Sequence, residues 1–112
     1  MSLEVDRALK RLDVEIREAM RTFAHTGSRL IDCLNRRDTM RRTLRSRRPH
    51  WCTEDAAWDE YRLRITDQLT EAEGMIQFHE ATMTKLDEEI GELQRAEREL
   101  EERQRLQPVL FA

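Results

Sequence analysis

Seven arginines, Arg36, Arg37, Arg41, Arg42, Arg45, Arg47 and Arg48, are concentrated in one short stretch of this 112-residue chain. Guanidinium groups pair with phosphate and carboxylate oxygens, so such a cluster can grip a nucleic-acid backbone or an acidic protein surface. Trp51 lies just beyond it and adds an aromatic side chain suited to the same contact. Glu54, Asp55, Asp59 and Glu60 follow closely and are able to neutralise much of the charge. From Arg36 to Arg62, eight arginines stand against five acids, Asp38 included, which leaves about +3. Three readings of the cluster therefore stay open: an acidic protein partner, nucleic acid, or a self-neutralised solvent face.

The remaining reactive side chains offer less. Cys33 and Cys52 are expected to lie too far apart for a disulfide, which suits a reducing compartment. His25 and His50 have no clustered partners, and His79 reads as a packed core residue rather than a metal ligand. No glycine-rich phosphate loop, zinc spacing or nucleophile with a placed base occurs, so catalytic residues, cofactors and metals are all expected to be absent and the chain is not expected to be an enzyme. The carboxylates from Asp87 to Glu102 outnumber Lys85, Arg95 and Arg98 and read as a solubilising face. No run approaches the roughly 20 apolar residues that a membrane span needs, and the N-terminus lacks a signal-peptide core.

Two long helices must position these groups. Val5, Leu9, Leu12, Ile16, Ala19, Phe23, Thr26, Leu30, Cys33, Arg37, Met40 and Leu44 recur at alternating steps of four and three. So do Trp58, Arg62, Ile65, Leu69, Ala72, Ile76, His79, Met83, Leu86, Ile90, Leu93 and Glu97. That spacing keeps one seam of a helix facing a partner. The two series mirror each other and predict an antiparallel two-helix coiled-coil hairpin, with layers running from Leu44 opposite Trp58 to Val5 opposite Glu97. Only 3 Gly and 2 Pro, with 38% charged residues, agree with this all-α reading.

The expected boundaries are a helix over about 3–47, a turn over 48–53 and a helix over about 54–106, all in one domain. Pro49 stops the first helix, because a residue preceding proline is pushed out of helical geometry. Thr53 is placed to cap the second, and Pro108 to end it before an apolar tail. Gly27 and Gly74 fall nearly opposite each other, which fits either a bend or close backbone approach, or tolerated drift at exposed sites.

A seam accounts for only part of the apolar content. Met20, Ala24, Gly27, Ile31 and Leu34 make a second stripe on the first helix, and Tyr61, Leu63, Met75 and Phe78 stand off the seam of the second. Exposed together, they predict an interface that packs the hairpin into a larger helical bundle. The expected partners are a second copy or other helical proteins. Val109, Leu110 and Phe111 could dock the far end, while Arg41, Arg42, Arg45, Arg47, Arg48 and Trp51 make the tip contact.

Arg47-Arg48-Pro49 followed by Cys52 and Asp55, then Leu69-Thr70-Glu71-Ala72-Glu73 and Thr84-Lys85-Leu86-Asp87-Glu88-Glu89-Ile90, resembles the loop and following helix of tektins. The resemblance covers about residues 45–90. It implies a coiled-coil structural protein of cilia or flagella, with microtubules among its partners and a cytoplasmic or cytoskeletal location. The expectation is thus a non-catalytic scaffold, with a nucleic-acid-binding helical hook as the alternative.

Overall fold

The computed structural model describes residues 3–110, with side chains described for 3–106. It contains two helices, α1 over Leu3–Arg45 and α2 over Asp55–Leu110, which form an antiparallel hairpin. Long runs of Ala, Leu, Glu, Arg and Gln favour this backbone state. Glu4 and Asp6 in the first turn of α1, and Arg42 and Arg45 in its last, complement the helix dipole.

The connection is longer than expected. Ser46 directs both its backbone N–H, at 3.2 Å, and its hydroxyl, at 2.6 Å, to the carbonyl of Thr43, and this tightens and ends α1 at Arg45. Cys52 N–H then donates to the Pro49 carbonyl at 3.0 Å, closing a turn over residues 49–52. The first N–H of α2 to bond back is that of Trp58, which donates to the Glu54 carbonyl at 3.2 Å. Glu54, not Thr53, therefore occupies the capping position. Its carboxylate suits the positive end of the helix. At the other end α2 continues through Pro108 to Leu110, whereas a break was expected there. A proline near a helix terminus forfeits one ladder donor, a smaller loss than in mid-helix, where the turns on both sides depend on continuity.

The chain divides into two compact units. Unit 1 comprises 1–26 with 82–112, and unit 2 comprises 27–81. In unit 1 the residues buried most deeply are Ile16, Ala19 and Thr26; in unit 2 they are Met40, Ala72, Ile76 and His79. Every one is a seam position. Of all the seam residues named above, only Arg62 is exposed, the rest being buried or half-buried. The alternation of fours and threes thus identifies the packed face of each helix.

The axial register differs from the expected layers. Arg41 was to stand level with Tyr61, but its guanidinium donates to Glu73 at 3.3 Å. Asp6 was to stand level with Ala96, but it accepts from Gln104 at 2.5 Å. Leu44 was to face Trp58, but its carbonyl accepts from Arg62 at 3.4 Å. For Arg41 the discrepancy along the helix is about 18 Å, more than two side chains can bridge. All three contacts displace the pairing in the same direction, by twelve, eight and four residues. Sliding one helix along a seam of repeating apolar positions leaves the same face packed, so burial alone does not fix the register.

The turn decides between the two registers. With nine residues, 46–54, outside the helices, the start of α2 has room to run on past the end of α1. Tyr61, Arg62, Leu63 and Arg64 are accordingly all exposed. Gly74 is exposed too, and a Cβ added there would meet nothing within 4 Å, so no close backbone approach explains it. Gly27 is half-buried.

Candidate functional site

The arginine-rich end belongs to unit 2, where α1 ends and the turn begins. Arg48 is bound to the Asp55 carboxylate across the turn, and Arg41 to Glu73 across the helix pair. Arg37 lies 3.5 Å from Asp38 through a buried Nε, which is close enough for attraction although no hydrogen bond is aligned. Glu60, expected to neutralise the tip, instead pairs with Arg64 on its own helix at 3.5 Å. Arg36, Arg42, Arg45 and Arg47 have no ion pair among the described residues. Asp38, Arg41, Arg42 and Arg45 line one open groove. Neutralisation is therefore partial, and it leaves a solvated cationic surface; Trp51, in the turn that follows, is 71% exposed.

Cys33 and Cys52 are both free. His79 is buried on the seam, with the Phe78 ring edge-on at 5.7 Å. Among the described residues no group of three or more His, Cys, Asp or Glu is placed to hold a metal ion, and no helix is long and apolar enough to cross a membrane.

The off-seam apolar residues are the more distinctive feature. Met20 in unit 1 is exposed; in unit 2 so are Ile31, Tyr61, Leu63, Met75 and Phe78, while Leu34 is half-buried. Tyr61 also stacks on Trp58, with ring centroids 5.8 Å apart. Val109, Leu110 and Phe111, expected to dock a partner, lie outside the residues whose side chains are described.

In unit 2 the two stripes do not form one patch. Leu34 is one heptad from Arg41, so Ile31 and Leu34 share the flank of α1 on which Arg41 reaches Glu73. Met75 instead lines a shallow groove with Cys33, Arg36, Gln68 and Glu71, on the other side of the seam. Phe78, three residues on, follows Met75. One broad face of the layer thus carries Ile31 and Leu34 of α1, and the opposite face carries Met75 and Phe78 of α2. The heptad positions held this information, since Ile31 and Leu34 flank their seam on one side and Met75 and Phe78 flank theirs on the other. A simple inventory of surplus apolar residues does not reveal it.

No family model, curated protein or solved structure matches this chain.

Proposed function

We propose that the chain is a non-catalytic helical scaffold that works by presenting apolar stripes to other helices. The observation that carries this reading is the exposure of Ile31, Leu63 and Phe78, at 59, 67 and 63%, in a protein whose own seam is already filled. Exposed apolar surface of this kind is costly in water and is stabilised by an apolar partner. The resemblance of residues 45–90 to tektins supports an intracellular setting, cytoplasmic or cytoskeletal, with the ciliary or flagellar microtubule as the assembly served. The wild-type chain, immobilised in an extract of its native cell, should retain tubulin or other coiled-coil proteins at moderate salt. A variant carrying Ile31→Glu and Met75→Glu should lose them.

A second reading has its own support in Arg36, Arg42, Arg45 and Arg47, which have no acidic partner among the described residues. Here the tip is a hook for nucleic acid. Binding would then weaken steeply as salt rises and would be lost in Arg42→Glu with Arg45→Glu. Salt-resistant capture of helical proteins by that same variant would rule the hook out.

A further inference from the structure

We propose that the partner of the apolar stripes is a second copy of this chain, stacked so that the α1 face of one copy meets the α2 face of the next. The inference rests on the scaffold reading and names its occupant. Within unit 2, Ile31 and Leu34 lie on one face of the layer, the flank on which Arg41 reaches Glu73, and Met75 and Phe78 lie on the opposite face, the flank that Met75 shares with Arg36. A half-turn about the normal to that layer lays α1 of one copy along α2 of its neighbour. Ile31 and Leu34 then meet the neighbour's Met75 and Phe78.

Charge favours this arrangement over a symmetric one. Residues 27–48 hold eight arginines against Asp32 and Asp38, a net of +6, and residues 54–81 hold eight acids against Arg62 and Arg64, a net of −6. Pairing the α1 stripe with itself would bring two segments of +6 together. The stacked arrangement sets +6 on −6 in both helix pairs. It also brings particular side chains together. Glu73 and Glu80 lie one heptad apart on the face that carries Ile31 and Leu34, while Arg29 and Arg36 lie one heptad apart on the face that carries Met75. The same half-turn superposes these two arginines on those two glutamates.

Such a contact joins two different surfaces and does not close on itself. Each added copy leaves one free face at either end, and a half-turn combined with a step along the same axis never closes, so growth is open-ended. A closed symmetric dimer is the opposite expectation.

Sedimentation across a wide concentration range, with circular dichroism to confirm helicity, tests this. The wild-type average mass should rise past that of a dimer. Ile31→Glu with Leu34→Glu should give a monomer, as should Met75→Glu with Phe78→Glu. Mixed one to one, the two should form a dimer that grows no further, because each supplies the face that the other lacks. Should a variant lose helicity, Arg36→Glu and Glu80→Arg replace the pair: each alone should weaken association at least tenfold, and the mixture should recover it. A double variant that dimerises by itself, or a mixture that stays monomeric, overturns the stacking. A monomeric wild-type chain overturns it as well, while the scaffold reading is still judged separately by the extract capture.

Discussion

Units 1 and 2 are built on the same seam and differ in what the seam leaves over. In unit 1 the first helical segment is neutral and the second acidic, and its exposed large apolar residues are Leu3, Val14, Met20 and Leu106. In unit 2 the two segments carry opposite charge, and Ile31, Trp51, Tyr61, Leu63, Met75 and Phe78 are exposed. The seam supplies enough contact to define a hairpin in both. Only unit 2 combines surplus apolar area with charge divided between its helices, and that combination suits it to meet another helix. The difference separates two uses of the same helical repeat, holding a hairpin together and recruiting a partner.

Substitutions on the seam should have the largest effect and should show that both units depend on it. Ile16→Ala in unit 1 and Ile76→Ala in unit 2 each open a cavity at a position less than a tenth exposed, and should each destabilise by about 2–4 kcal/mol in urea titration. Phe78→Ala, measured at a concentration where the chain is monomeric, should cost under about 1 kcal/mol, since most of that ring is already in water. A loss as large as that of Ile76→Ala would mean that the stripe serves the hairpin itself.

The glycines sharpen the comparison at smaller scale. Gly74 in unit 2 and Gly91 in unit 1 are both exposed, and a methyl at either would meet nothing within 4 Å. Each Gly→Ala change should raise stability by about 0.5–1 kcal/mol, read as a higher denaturation midpoint. A loss at Gly74 alone would point to a close approach by a neighbouring copy on that side. The smallest effect is expected for Arg41 and Glu73, whose side chains are each nearly half exposed. A double-mutant cycle with Arg41→Ala and Glu73→Ala should give a coupling of about 0.2–1 kcal/mol that shrinks as salt is added.

The tip illustrates how far the sequence could be read. The arginine cluster was evident, and so was the prospect of its neutralisation. Which arginines are paired was not, because it depends on which acid each one reaches. Arg41 finds Glu73, well along α2, rather than the acids that begin that helix, and Glu60 turns to Arg64 instead. Likewise, Pro49 announced the end of α1, but Ser46 ended it sooner by taking the Thr43 carbonyl. Local competition of that kind for a carbonyl leaves little trace in an apolar pattern.

By itself the sequence determined which face of each helix is buried, because only one stripe at coiled-coil spacing could carry enough apolar side chains on either helix. It also determined that apolar residues would be left over. The tertiary structure decided the axial register, since a seven-residue repeat cannot distinguish itself from its own translation and the length of the connection must choose. It decided as well that the two surplus stripes of unit 2 lie on opposite faces. That follows from which flank of the seam each stripe occupies once α1 and α2 run antiparallel, a relation between two helices that neither specifies alone.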